Sequence, residues 1–508
     1  MITVIYSTHK DEEYNKNFKE HIQKTIGIKE FEILEYKNNN EFSLSQIYNK
    51  GILESKNNII VCCHNDIKLE NNWGKRLIKD FEENSDYAII GKAGSCYFPQ
   101  SGVYWERMNE TMVGQVYHHP DGQNKWLSKY SDKLPFLIPV VTIDGLFISF
   151  DKTKIKHNFD ESIGKFHFYD HGFCLPNYLD SVKIGVTSSF EITHKSVGQP
   201  NNEFYESKEL FVEKYKDKLP IDFKPQNVYV PELNIKPIKN IGGKVAVIIP
   251  TKNKTDLLFN CLNSFIDNCD SSLYEVFIAD TGSNEEEKNK IKDYIETNSS
   301  KIKINLIEYN YYNFAKINND VVKNHVNDNF KFLLFCNNDI VLLNDAITGM
   351  LDVFKQNPKT GTVGARLHFG DNTLQHEGIV SIISNSRKSY DVTHLGLRSY
   401  YSKQTKLVRV CGSTGALLMI RKNVFEKCGY FNENYISCFE DVELNYKSLI
   451  SGYENFYNGN VVAYHLESQT RNDDSRSLDK LQMDYRDNLL PFVQENISKL
   501  NNWIVYVQ

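Results

Sequence analysis

Four landmarks occur twice along this sequence, in the same order and at nearly equal spacing. An apolar run closes on Asn-Asp in IIVCCHNDI, at Asp66, and again in FLLFCNNDI, at Asp339. A second apolar stretch broken by a small turn follows, VTIDGLFISF at 141–150 and CGSTGALLMI at 411–420. A further aspartate stands in FHFYDHGFCLPNYL (Asp170) and in SCFEDVELNYKSL (Asp441), and a histidine ends each series, His194 in EITHKS and His465 in VVAYHLES. Asp66 to Asp170 is 104 residues and Asp339 to Asp441 is 102, while the last step is 24 in both copies. Chance supplies one such match; four in order mean two copies of one fold.

Both copies open alike. ITVIY at 2–6 runs into Ser-Thr-His-Lys, and VAVII at 245–249 runs into Pro-Thr-Lys-Asn. A helix-like mixture and another strand-like run come next. Strands alternating with helices predict an α/β protein with a largely parallel sheet in each copy. Between the copies, 217–244 carries Pro220, Pro225, Pro231, Pro237 and Gly242-Gly243, which is linker composition. The expected division is a first domain at 1–216, a linker at 217–244, a second domain at 245–470 and a tail at 471–508. In the tail, Leu478, Leu481, Tyr485, Leu489 and Phe492 fall on one helix face, with Pro491 expected to kink that helix or start a second one. This helical tail is expected to pack on the second domain or on a partner, a second copy of the chain included.

Composition removes several classes. The 508 residues carry 59 Lys+Arg against 65 Asp+Glu, a formal net charge of -6, with 41% hydrophobic residues. The chain is therefore globular and has no basic run suited to nucleic acid. Ten cysteines lack the paired spacing of a zinc site and are too sparse for a disulfide framework, which fits a reducing compartment. MITVIYSTHK has no signal-peptide pattern, and 134–150, the most apolar window, is interrupted by prolines and Asp144 and is too short to span a bilayer. The expected place is the cytoplasm, with peripheral docking at the inner face of the plasma membrane left open. His118-His119 and the His167/His171 pair lack the further ligands of a zinc site. No G-x-G-x-x-G and no G-x-x-x-x-G-K-[ST] occurs, so dinucleotide-oxidoreductase and P-loop readings fail.

The repeated residues suit a cation and a base. Asp339 ends an apolar strand, so it sits at the carboxyl edge of the sheet, where open α/β sheets bind ligands. Its carboxylate is a good ligand for Mg²⁺ or Mn²⁺, and His465 can add an imidazole, which Mn²⁺ accepts more readily. The competing structural reading is a turn-capping Asp and a backbone-bonded His. Asp441 opens a helix-like segment beside Glu440, either as an N-cap or as a general base aimed into the cleft. Thr251, Asn253 and Asp280 follow the first two strands of the second copy, where polar groups can hold a nucleobase and ribose.

These pieces resemble a known family. VIIPTKN, IADTGS, NFAKINND, FCNNDI, CGSTGALLMIRK, FEDVELNYKSL and VAYHLES look like inverting glycosyltransferase family 2, over about 245–470. CCHNDI, IIGKAGS, TIDGLFIS, FHFYDHGF and THKSVG make residues 1–200 similar to a more distant branch. The resemblance implies two Rossmann-like GT-A (nucleotide-diphospho-sugar transferase) domains in tandem. It implies that Thr251, Asn253, Asp280 and Asn338 hold the nucleotide, that Asp339 and His465 hold Mn²⁺ or Mg²⁺, and that Asp441 is the catalytic base. In the first domain it implies Thr8 and Asn65 on the nucleotide side, Asp66 and His194 at the metal, and Asp170 as base. Glu440, Thr414, Gly415, Asp144 and His376 fall on the acceptor side. Asn337 replaces the first Asp of the family's DxD-type motif. The first domain departs twice more: FEILEYKNNN lacks an Asp-Thr-Gly-like motif, and FYDHG lacks a counterpart of Glu443.

The activity so implied is transfer of hexosyl or N-acetylhexosaminyl units, with inversion. The donor is a nucleotide sugar, with UDP favoured over dTDP. The acceptor is a glycan or lipid-linked hydroxyl of a bacterial surface glycan such as a capsule, an O-antigen or a protein-linked glycan. Two rivals remain: a single active second domain with an acceptor-binding first domain, and a non-catalytic carbohydrate-binding scaffold.

Overall fold

In a computed structural model the chain folds into two compact units, Met1–Lys224 and Pro225–Gln508. The structure describes all residues except 236–241, 385–388, 437, 467–477 and 508. Pro237, Ser437, the motif end Glu467-Ser468 and the start of the tail lie outside the described residues, as does the side chain of Leu478.

The first unit is built on a mixed seven-stranded sheet. Its strands run Ile138–Val140, Lys183–Val186, Tyr87–Gly91, Phe147–Asp151, Ile59–Cys63, Ile2–Thr8 and Phe31–Lys37 across the sheet. From Glu454–His465, the counterpart of Lys183–Val186, the second unit places Thr360–His368, Leu417–Arg421, Phe330–Cys336, Lys244–Thr251 and Tyr274–Asp280 in the same order and adds Ile304–Glu308 beyond them. In both, the opening strand lies parallel to its two neighbours, and the strand after the small turn enters antiparallel. The expectation of a largely parallel sheet is thus corrected to mixed sheets. The duplication read from the sequence is a duplication of strand order.

The strands are β-branched and aromatic, and in the middle of each sheet they are buried on both faces, as strands covered by helices must be. In the second unit Leu258, Leu262 and Phe265 of helix Thr255–Asn268 and Ile347, Met350 and Phe354 of helix Ala346–Gln356 cover one face. Ile317 and Val321 of helix Phe314–Asn324 cover the other with Val424 and Phe425. Among the described residues no helix is long and apolar enough to cross a membrane.

The break between units falls inside the proline-rich segment. Ile221–Asp222 pairs with Tyr97–Phe98 in the first unit. Beyond it, the Pro225 carbonyl accepts from Asn372 Nδ2 at 3.0 Å and the Tyr229 carbonyl accepts from Arg366, both in the second unit.

The tail is more than a helix. Leu478–Met483 and Leu490–Leu500 are α-helical, and Asp484–Leu489 between them is a π-helical turn. That widening stands just before Pro491, which has no N–H to give to the ladder. Ile504–Val507 then adds a parallel strand beside Ile379–Ser384. Leu489, Val493 and Leu500 pack with Val442, Tyr446 and Tyr390 of the same unit. Of the two expected alternatives, the second domain or a partner, these residues take the first and pack within the chain.

Candidate active sites

In the second unit Asn337, Asn338 and Asp339 follow strand Phe330–Cys336. The short strand Ile340–Leu342 then turns back and pairs antiparallel with Glu454–His465, setting Ile340 opposite His465. This register brings Asp339 Oδ1 to 3.3 Å from His465 Nε2. Asp339 is buried, and its Oδ1 makes no hydrogen bond. A turn-capping aspartate would use that oxygen. A buried, unused carboxylate oxygen facing an imidazole fits a cation instead.

The imidazole is oriented for the same task. His465 Nδ1 lies 2.7 Å from Gln375 Oε1, and Asn337 Nδ2 lies 3.2 Å from Nε2. Assigned from this network, Nδ1 carries the proton to the amide oxygen, and Nε2 presents its lone pair towards Asp339.

Asp441 is the second residue of helix Glu440–Ile450, after Phe439 in the left-handed conformation at φ 75°. It is therefore not the N-cap. Its Oδ2 accepts the Gly415 amide at 2.6 Å and its Oδ1 the Val442 amide at 2.7 Å. Any larger residue at Gly415 would press on it, since a Cβ there would meet Asp441 Cβ at 3.2 Å. A cavity of about 520 Å³ is lined by Asn337, Gln375, Thr414, Gly415, Asp441 and His465, together with Glu440. His465, whose Nε2 faces Asp339, and the Asp441 carboxylate thus line one cleft.

Other sequence candidates are placed less directly. Asn338 Nδ2 donates to Thr251 Oγ1 at 2.9 Å, tying the ends of two strands together. Asp280 lies opposite Thr251 in the sheet, with Oδ1 taken by Ser283 and Oδ2 buried and unpaired. Asn253 is spent on the neighbouring turn: its N–H donates to Ser283 Oγ at 2.7 Å and its Oδ1 accepts from Asn284 at 3.0 Å. His376 is fully buried behind Thr414, accepting from its amide at 3.3 Å, and 3.2 Å from His394 Nδ1. Burial, with the neighbouring His394 and His465, pushes its pKa well down. Glu443 faces Asn432, Tyr435 and Lys447, so this acid belongs to the core around the helix.

The first unit repeats this geometry. Ile67 lies opposite His194, and Asp66 Oδ1 is 3.4 Å from His194 Nε2. Asn65 Nδ2 donates to Thr8 Oγ1 at 2.8 Å, as Asn338 does to Thr251. Asp170 follows Phe168, again left-handed at φ 62°, and accepts the Gly145 amide at 2.9 Å. Asp144 stands where Thr414 does, its Oδ1 accepting from Leu146 and its Oδ2 from Tyr104, 2.9 and 2.8 Å away. A cavity of about 490 Å³ holds Thr8, Asn65 and Asp66, and one of about 550 Å³ holds Asp144, Gly145, Asp170 and His194. His64 lines both.

Electrostatics separate the two carboxylates. Burial opposes the ionised Asp66, but its hydrogen bond and attraction to His194 outweigh this and hold it well below the usual range. The same pairing lifts His194 against the burial that would lower it. Burial raises Asp170, with a further push from Asp144, while His171 and the Gly145 amide pull it back.

One feature escaped the sequence reading: His64 occupies the place of Asn337 in the repeat and approaches Asp66. The Asp-Thr-Gly-like motif that FEILEYKNNN lacks is replaced at the place of Asp280, opposite Thr8 in the sheet, by the exposed Lys37, so the first unit has no such carboxylate there.

The matches to known proteins agree with this division. A model described as glycosyltransferase like family matches residues 3–215, and glycosyl transferase family 2 matches residues 246–429. The uncharacterized protein y4gI of Sinorhizobium fredii is 26% identical over 233 residues, 45% of this chain and 25% of that protein. O-antigen biosynthesis protein RfbC of Myxococcus xanthus is 25% identical over 235 residues, 46% of this chain and 18% of that protein. The aligned part is thus a quarter or less of either curated relative. Among solved structures, GalNAc-T7 with UDP, GalNAc and Mn2+ superposes with a TM-score of 0.35 at 13% identity, covering 45% of this chain and 44% of that one. Mannosyltransferase PcManGT from Pyrobaculum calidifontis, in complex with GDP-Man and Mn2+, gives 0.36 at 13% identity, covering 53% and 68%.

Proposed function

Because the chain carries two glycosyltransferase family 2-like domains in tandem, over residues 3–215 and 246–429, we propose that it is an inverting transferase with two working sites. Each site moves a sugar from a nucleoside diphosphate donor to a hydroxyl of a growing surface glycan. The observation that carries this reading is the repeated juxtaposition in each unit: a strand-end Asp facing a late His, and a helix-start Asp held by a turn glycine.

Asp441 and Asp170 are the bases. Each is fixed by the glycine amide and by the amide that follows it, so the carboxylate is aimed before substrate arrives. It takes the proton from the acceptor hydroxyl as that oxygen attacks the anomeric carbon opposite the leaving diphosphate. One displacement inverts the configuration, by the logic of inverting glycosidases. No protein acid is needed on the leaving side. Asp339 and His465 in one unit, Asp66 and His194 in the other, would hold a divalent cation such as Mn²⁺ or Mg²⁺, which when bound neutralises the diphosphate. Asp280 and Thr251 are assigned to the nucleotide in the second unit, and the unpaired Asp280 Oδ2 suits a nucleoside donor group. The name of the Myxococcus relative supports a surface polysaccharide as product.

The test is a donor hydrolysis screen of nucleotide sugars with Mn²⁺ or Mg²⁺. It uses wild type, Asp170→Asn, Asp441→Asn and the double variant. Two donors, each lost in a different single variant, support two working sites. One donor, lost only in Asp441→Asn, leaves the first unit as an acceptor-binding domain. No turnover and no nucleotide binding sinks the reading.

A further inference from the structure

The two candidate cation sites differ in one side chain. The first unit reads His64-Asn65-Asp66 where the second reads Asn337-Asn338-Asp339. His64 Nδ1 lies 3.9 Å from Asp66 Oδ1, and His194 Nε2 lies 3.4 Å from that same oxygen. One ligand atom from each of the three residues falls within 4.8 Å of the others. Ligand atoms ~2.1 Å from a shared ion stand ~3.0–3.4 Å apart, so the cluster needs only a small contraction.

The tautomer of His64 is set by its far side. The Tyr169 hydroxyl has one proton and lies 2.9 Å from the Gly145 carbonyl and 2.9 Å from His64 Nε2. The carbonyl oxygen can only accept, so the hydroxyl gives it the proton and accepts from His64 Nε2–H. Nδ1 is then bare, and a lone pair faces a carboxylate across 3.9 Å. Two acceptors set against each other are unfavourable unless a proton or a cation joins them; His194 Nε2–H reaches the same Asp66 oxygen and lies 3.0 Å from Ser196 Oγ, and a bound metal ion would take the place of that proton. The outer contacts are also those of a metal site: Tyr169 steadies one imidazole, and Ser196 Oγ donates to Asp66 Oδ2 at 2.7 Å. In the second unit Asn337 turns its amide N–H to His465, and no second imidazole is present at that place.

We propose that His64, Asp66 and His194 form a two-histidine, one-carboxylate site for a divalent transition-metal ion, and that the two units therefore differ in cation selectivity. The first binds such an ion without nucleotide. The second, with one imidazole and one carboxylate, needs the donor diphosphate to complete its ligand set. Imidazole favours Mn²⁺, Co²⁺ and Zn²⁺ over Mg²⁺, which prefers oxygen. This rests on reading Asp66 and His194 as ion ligands, and it adds His64 and the asymmetry.

The experiment uses the full chain, stripped with chelator and titrated with Co²⁺ in the absence of nucleotide. Calorimetry and the visible Co²⁺ spectrum are the readouts. Wild type is expected to bind one Co²⁺ per chain. His64→Asn, which copies the second unit's residue, should weaken this at least about tenfold, and Asp66→Asn and His194→Ala should remove it. Asn337→His, which copies the first unit's residue, should add a second equivalent, so the idea stays testable if His64→Asn folds poorly. Unchanged Co²⁺ binding in His64→Asn, or no added site in Asn337→His, overturns the proposal. Mn²⁺-dependent nucleotide binding measured on the same proteins reports separately on the transferase reading, which survives that outcome.

Discussion

Asp441 accepts the backbone amide of Gly415 at 2.6 Å, across 26 residues of sequence. This contact joins the turn before strand Leu417–Arg421 to the start of helix Glu440–Ile450. Asp170 and Gly145 make the same contact at 2.9 Å in the other unit. A glycine is required because a side chain at either position would crowd the carboxylate or its neighbours. The contact explains why the aspartate and the small turn recur together in both halves of the sequence.

From this follows the behaviour of Asp441→Asn. The amide oxygen can still accept from Gly415, so the fold and the donor pocket are expected to persist. The group can no longer take a proton. Transfer by the second unit should fall about 10²–10⁴-fold, with nucleotide affinity by calorimetry unchanged. Loss of nucleotide binding in this variant would argue that Asp441 shapes the pocket rather than acting as base.

The first unit should show its own pH limit. Asp170 is raised by burial and by Asp144, and as a base it works only when ionised. Its rate is therefore lost as pH falls through a folded-state value above the ordinary ~3.9. The sign for stability is the reverse of a salt-bridged acid: with the folded value raised, ionised Asp170 costs the fold at neutral pH, and that cost vanishes as the group protonates. Measured in an Asp441→Asn background, the acid limb of transfer should move to lower pH when Asp144 is changed to Asn. An unmoved limb would remove Asp144 from the account.

The repeat made the doubling of the fold and the recurrence of Asp and His in each half readable, because both depend on local apolar runs and fixed spacing; the strand order and the mixed sheets were not. His64 was not read, because its meaning lies in a contact with His194 across 130 residues and in the bond to Tyr169. Gln375 carries no signal of its own in the sequence; its contact with His465 joins strands 90 residues apart. The final strand Ile504–Val507 is too short to carry a period and is defined by its partner Ile379–Ser384. Glu443 shows the opposite error, an acid in a motif that the fold spends on Asn432, Tyr435 and Lys447.

Gln375 should matter for the cation without touching it. Its Oε1 holds the proton of His465 on Nδ1 and so leaves Nε2 unprotonated. Removing such an outer contact commonly costs about 10–100-fold in metal affinity. Gln375→Ala is expected to weaken Mn²⁺-supported nucleotide binding by that factor, while Asp339→Ala removes the dependence on Mn²⁺. Equal affinity in Asp339→Ala with and without chelator is the expected result; a retained Mn²⁺ response would count against the assignment.

The tail reaches the base through Asp484. This buried carboxylate accepts from the Ile436 amide at 2.9 and 3.1 Å and from the Cys438 amide at 3.1 Å, just ahead of Phe439 and Asp441. Around it, Leu489 and Val493 pack with Val442 and Tyr446 of the base-bearing helix. Asp484→Ala takes the acceptor from two amides, on the exposed Ile436 and the half-buried Cys438, at a cost of about 0.5–1.5 kcal/mol each. The expected outcome is a lower midpoint of thermal unfolding and a slower single-turnover transfer by the second unit, with donor affinity little changed because Asp339 and His465 lie on other elements. Asp484→Asn, which keeps one acceptor oxygen, should recover part of both. Wild-type turnover in Asp484→Ala would mean that the tail stabilises the unit without positioning Asp441.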